Sequence, residues 1–255
     1  MLSVSSAIGT YYCYLYLTQM LTDINQAGLN AIKKGLSRRF GIRIDTYVCD
    51  ITSKVDTASL FEHIKANNIK LNMLLNVAGI DYEGGFMVRP FDQISKIINL
   101  NIEATLRVTH GAVNKKDNSS DFYIIFVSSL VAMNPVPLKA TYVATKRFLL
   151  DFSYALGEEL KSQNANVLSL CPGGLPTTDE AMQGIAAQGF WGNVTTNRME
   201  RVVRNTINKA LHKKKIYVPG ATNKLLAFFG KLVPVGLIVK LLFSKWNTTQ
   251  KQGLH

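Results

Sequence analysis

Short apolar runs alternate along this chain with longer stretches in which apolar residues return every three or four positions. The runs QMLT (19–22), RIDTYVC (43–49), LNMLLNV (71–77), FYIIFVS (122–128), NVLSLC (166–171) and KIYVP (215–219) have the length and content of strands. Helical periodicity occupies the segments near 25–38, 56–67, 90–113, 141–163 and 195–212. Strands separated by helices of that length predict βαβ units, and therefore a parallel sheet with helices on both faces. No internal repeat or long linker breaks the alternation. One α/β domain is expected over residues 1–221, with 222–255 as an apolar, basic helical extension of it.

That extension departs from the pattern. NKLLAFFGKLVPVGLIVKLLF (223–243) is strongly apolar, but Lys231, Pro234, Gly236 and Lys240 interrupt it. A membrane span needs about 20 predominantly apolar residues with few charges, so two short helices packed on the body or on a sister subunit are expected. Contact with a membrane surface, lysines at the headgroups, is the alternative.

Composition narrows the picture. With 255 residues, 47% of them hydrophobic, the chain can bury a full core. Cys13, Cys49 and Cys171 lie far apart without CxxC spacing, which speaks against a disulfide framework or a metal site and for a reducing, cytoplasmic setting. No secretory leader pattern is visible at the start. The net charge of +12 raises the question of nucleic acid. Its basic residues are dispersed and lack aromatic interleaving, so no nucleic-acid partner is expected.

The chemistry concentrates in the second half. In YVATK, Tyr142 and Lys146 stand four apart, on one helix face. Ser129 precedes Tyr142 by thirteen residues, at the end of a predicted strand, and Asn101 lies on the predicted helix of 90–113. A tyrosine with its ordinary pKa near 10 is a poor base at neutral pH; a nearby ammonium lowers that value by stabilising the phenolate. A serine hydroxyl can hold a substrate oxygen on which charge develops.

This set, in this order, resembles the short-chain dehydrogenase/reductase family from about Ser5 to Pro219. The resemblance implies a doubly wound, Rossmann-type fold and hydride transfer between NAD or NADP and an alcohol or ketone. It makes Tyr142 the acid/base, and Lys146 the ligand of the nicotinamide ribose that also lowers the tyrosine pKa. It makes Ser129, rather than the adjacent Ser128, the holder of the substrate oxygen, and Asn101 the support of a water relay to Lys146. NVAGI (76–80) is similar to the family segment after the fourth strand and places Asn76, Ala78 and Gly79 beside the cofactor. Asp50 and Ile51 in VCDIT fall at the adenine. Pro172, Gly173 and Thr177 in CPGGLPTT fall at the nicotinamide and its phosphate. Asp23, ending the second predicted strand, would accept from the adenosine ribose and repel a 2′-phosphate, which favours NAD; capping the following helix is its competing role.

The family's first turn, Thr-Gly-x-x-x-Gly-x-Gly, is matched poorly. Laid over it, LSVSSAIG offers Ser3, Ala7 and Gly9 for the three glycines, and leaves only Met1 and Leu2 for the strand before it. A first strand largely missing and weak cofactor binding are the expectation. Two functions follow: an oxidoreductase acting on a lipophilic alcohol or ketone, such as a steroid or long acyl chain, and a non-catalytic relative kept as a binding or membrane-surface module. Residues 179–197, with Phe190 and Trp191, are expected to form an apolar lid, and the resemblance implies a homo-oligomer.

Overall fold

The structure, a computed structural model, describes residues 2–4, 18–41, 43–82, 84–176, 182, 194–230 and 232–252. Gly9, Thr177 and most of the expected lid lie outside the described residues. Seven parallel strands form one sheet in the order β3-β2-β1-β4-β5-β6-β7. β1 is Leu2–Val4, β2 Thr18–Asp23, β3 Arg43–Val48, β4 Met73–Asn76, β5 Phe122–Val127, β6 Ala165–Leu170 and β7 Ile216–Tyr217. The helices are α1 Gln26–Phe40, α2 Lys54–Ala66, α3 Phe91–Ile98, α4 Thr105–Asn114, α5 Ala140–Glu159, α6 Met199–Leu211, α7 Ala221–Phe229 and α8 Val235–Gln252.

Local chemistry explains the boundaries. Asn25 caps α1 by accepting from the Gly28 N–H at 2.9 Å, and Gly41, at φ 64°, ends it with a backbone N–H to the Ser37 carbonyl. Ser53 caps α2 through the Asp56 N–H. The cap expected of Asp23 is therefore held by Asn25, while Asp23 accepts from the Asn25 N–H at 3.0 Å. The periodicity of 90–113 does not give one helix. It breaks into α3 and α4 around a π-helical turn, Asn99–Ala104.

Alternation in the central strands builds the core on both faces of the sheet. Leu74, Phe122, Ile124, Phe126 and Val167 point to one face, packing with Leu60, Phe61 and Val108 of the helices. Met73, Leu75, Ile125, Val127 and Leu168 point to the other, against Val202, Val203 and Ile207 of α6. Strands apolar on both faces belong inside a parallel sheet.

The first strand corrects the sequence reading. Leu2–Val4 sits mid-sheet, pairing in parallel with Met20–Thr22 on one side and Leu74–Asn76 on the other. Ser3 is the middle residue of that strand, not a turn residue. The strand is short but present, because apolar neighbours on both sides offer it complete backbone pairing.

Candidate active site

A parallel sheet brings the C-terminal ends of its strands to one edge, and ligands bind there where the strand order reverses. That reversal falls between β1 and β4. At this edge β2 ends in Asp23, β3 gives way to Cys49–Ile51, β4 to Val77–Gly79, β5 to Ser128 and Ser129, and β6 to Cys171–Gly173. Most of the described segments expected from sequence thus share one rim.

The structure brings Asn101, Ser129, Tyr142 and Lys146 together. Lys146 on α5 is almost fully buried and its Nζ donates to the Val127 carbonyl at 2.9 Å, lying 5.6 Å from the centre of the Tyr142 ring. Burial lowers the Lys146 pKa to about 8, with Asp81 and Cys171 opposing the shift. Burial pushes the Tyr142 phenol above its ordinary value, the Asp81 carboxylate adds to this, and the neighbouring Ser129 side chain offsets part of it. The direction expected from sequence is therefore reversed. Burial and the Asp81 carboxylate together outweigh Ser129, and Tyr142 stands as a protonated acid.

The two serines separate cleanly. The Ser128 hydroxyl is buried and donates to the Lys146 carbonyl at 2.6 Å, tying β5 to α5. Ser129 is the serine that bears on the Tyr142 phenol; it also accepts from the Val131 N–H at 3.4 Å, capping the short turn Leu130–Met133.

Asn101 is fully buried in the π turn, and its amide is used in both directions. Its Oδ1 accepts from the Ile80 N–H and its Nδ2 donates to the Ile80 carbonyl, both at 2.9 Å, and Nδ2 also reaches Thr145 Oγ1 at 3.1 Å. The side chain thus pins the segment after β4 to α5. It does not touch Lys146 directly. A Cβ on Gly79 would stand 3.1 Å from Asn101 Oδ1 and 3.2 Å from Lys146 Nζ, so the absence of a side chain lets this loop lie over the lysine.

The remaining candidates divide. Asn76 turns inward, its Nδ2 donating to Thr109 of α4 at 3.0 Å, and so fixes β4 rather than facing the rim. Asp50 holds its own turn through the Thr52 N–H and hydroxyl, with Oδ1 as acceptor, and Ile51 is buried in the core. Any side chain on Gly173 would collide with the Thr195 carbonyl. Asp23 and Asp50 stand on the rim at the far side of the order reversal from Tyr142.

Sequence reasoning missed the ion pair Asp81–Lys139, 2.7 Å between Oδ2 and Nζ. Asp81 bears on both Tyr142 and Lys146, from 61 and 65 residues upstream. No local pattern marks it, since only the fold places it there. A pocket of about 240 Å³ opens beside Tyr142, with Phe86, Ile97, Leu138 and Phe243 as apolar walls and Tyr82 and Arg89 as polar ones. Among the described residues these walls come from α3, the turn before it, the loop before α5, and α8; the expected lid lies mostly outside the described residues.

A family model described as short chain dehydrogenase matches residues 3–187. The chain is 29% identical over 145 residues to a very-long-chain 3-oxoacyl-CoA reductase of Laccaria bicolor, covering 56% of this chain and 43% of that protein. It is 30% identical over 159 residues to the enzyme of the same name from Mus musculus, covering 60% and 50%. The chain thus spans about half the length of the curated relatives it matches. Among solved structures, one from a study of 7beta-hydroxysteroid dehydrogenase stereoselectivity aligns with a TM-score of 0.83 at 17% identity, over 94% of this chain and 95% of that one. A short-chain dehydrogenase from Sphingobium yanoikuyae in complex with NADPH aligns with a TM-score of 0.74 at 20% identity, over 90% and 92%.

Proposed function

We infer, because this chain belongs to the short chain dehydrogenase family, that it is an NAD(P)-dependent oxidoreductase interconverting a lipophilic ketone and its alcohol. The observation that carries this reading is the convergence of Ser129, Tyr142 and Lys146 beside an apolar pocket at the C-terminal edge of the sheet.

The donor set fits the cofactor. An ammonium has three N–H donors, and Lys146 spends one of them on the Val127 carbonyl. A buried cation with donors to spare suits the paired hydroxyls of a nicotinamide ribose. Ala78 and Gly79 would hold the same region by backbone, Pro172 and Gly173 the nicotinamide end, and Asp50 with Ile51 the adenine end. Asp23, at the tip of β2 beside β1, supports a preference for NAD over NADP through its charge.

When bound, the reduced nicotinamide supplies the hydride that reaches the carbonyl carbon. Ser129 holds the carbonyl oxygen by donating its hydroxyl hydrogen. Tyr142 passes its proton to that oxygen as the new C–H bond forms, completing the alcohol. Protonated Lys146 stabilises the phenolate left behind, and solvent returns a proton to it. Asn101 holds Ile80 and Thr145 around this path, and a water relay to Lys146 along it is part of the proposal. Alcohol oxidation runs the same steps backwards.

A 3-oxoacyl thioester with a long chain is the first substrate to test, supported by the pocket's apolar walls and by the names of the relatives. A cytoplasmic location with peripheral membrane contact through residues 222–255 completes the reading, supported by the basic, apolar character of that segment. Cofactor titration with NADH and NADPH, followed by turnover of a 3-oxoacyl thioester, tests it. Binding of neither cofactor would overturn the oxidoreductase assignment in favour of a non-catalytic relative.

A further inference from the structure

Met87 and Val88 are 89% and 83% exposed, and Phe86 and Phe91 on either side keep more than half of their surface in solvent. Single exposed apolar residues are ordinary, but four large ones within six positions form a patch that calls for a partner. They occupy the short turn Phe86–Val88 and the start of α3.

A second apolar surface lies close to it. Val239 and Phe243, one helical turn apart on α8, face the body: Val239 lines a cavity with Pro135, Val136 and Pro137, and Phe243 lines the Tyr142 pocket. That arrangement leaves Leu237 and Leu241 in solvent, and Leu225, Phe228 and Phe229 of α7 are exposed as well. Phe86 and Phe243 line the same pocket as Tyr142, so the turn before α3 and helix α8 both border it.

Charge selects the occupant. Residues 221–255 contain Lys224, Lys231, Lys240, Lys245 and Lys251 and no Asp or Glu. Lys224 and Lys240 are exposed, and a segment that is apolar and whose charges are all cationic complements an anionic lipid leaflet. A second copy of the same surface would set lysines against lysines. Among the described residues no helix is long and apolar enough to cross a membrane, so the contact lies in the plane of the interface.

We propose that Phe86–Phe91 and the outer faces of α7 and α8 dip together into an anionic bilayer surface, so that the Tyr142 pocket opens between them into the lipid. This deepens the membrane contact of the reading above and rests on it for what would use the route. It adds a second arm that residues 222–255 do not contain.

Sedimentation of the full chain with phosphatidylcholine vesicles, with and without phosphatidylserine, tests it. Binding is expected to the phosphatidylserine vesicles and to weaken as salt rises. The double variant Met87→Asp, Val88→Asp, checked for an unchanged melting temperature, is expected to lose about tenfold or more in vesicle affinity. Equal binding by variant and parent would overturn the second arm while leaving tail contact standing. No binding to either vesicle would overturn both. Self-association of the chain in solution that the double variant abolishes, without vesicle binding, would assign the patch to a second copy and overturn the proposal. An inactive chain that nonetheless binds vesicles through Met87 and Val88 would sink the oxidoreductase reading and uphold this one.

Discussion

At Tyr142 one oxygen carries the proposed proton transfer, so Tyr142→Phe removes the chemistry and little else. General acid assistance is worth about 10²–10⁴-fold, and kcat is expected to fall by at least about a hundredfold with cofactor affinity nearly unchanged. Equal turnover of the two proteins would refute the assignment. Lys146 sets the pH dependence. Its folded pKa of about 8 lies below its ordinary value, so it loses its charge, and its support of the phenolate, as pH rises through 8. The expected result is a falling limb in kcat/KM for ketone reduction near that pH. Tyr142, pushed the other way, stays protonated and adds no limb below it. Stability moves oppositely: between about pH 8 and the ordinary lysine value the unfolded chain binds more protons, so this group's contribution rises with pH. A melting temperature tracked beside the rate separates the two effects. These residues were legible because Ser129, Tyr142 and Lys146 keep a fixed spacing. The reversed tyrosine shift was not, since burial and Asp81 arise only when distant segments meet.

Among the elements, α2 and α4 touch where the Phe61 ring lies against Gly111. A Cβ at 111 would overlap the Phe61 ring, and the ring, in the core, must move. Gly111→Ala is therefore expected to destabilise by about 1–3 kcal/mol, the usual cost of overpacking, read as a lower melting temperature with the active residues untouched. An unchanged melting temperature would show that Phe61 has room to rotate. Helix and strand positions came through well from periodicity, because most elements bury a face against the sheet. The segment 90–113 did not. Its apolar spacing looks continuous, while one extra residue per turn at Asn99–Ala104 serves Asn101, whose partners Ile80 and Thr145 are remote in sequence. The caps were also misplaced by two residues, since Asp23 and Asn25 are equally good capping types and only the strand's end decides between them.

For the molecule as a whole, alternation was enough for a parallel sheet with helices on both faces, and the family resemblance for its doubly wound arrangement, but the middle of the sheet followed from neither. Family spacing put Ser3 in a turn, where the ladder puts it inside β1. Glycine at Ser3 would weaken a strand rather than repair a loop. Among the described strands, β2 and β3 join β4–β7 only through those three residues. The sheet is thus two plates fastened by a narrow strip. Leu60 and Phe61 of α2 also bridge the plates on one face, by packing with Leu74 and Phe122. With so few backbone pairs between them, the plate carrying Asp23 and Asp50 is expected to open before the one carrying Ser129, Tyr142 and Lys146. In native-state hydrogen exchange, amides of β2 and β3 are expected to exchange together, well before those of β5 and β6. A single common exchange rate across the sheet would show the strip to be as strong as the plates. If the plates do separate, a dinucleotide lying across the strip would act as its clasp, and its binding would slow exchange most in β2 and β3, the strands furthest from the reacting carbonyl.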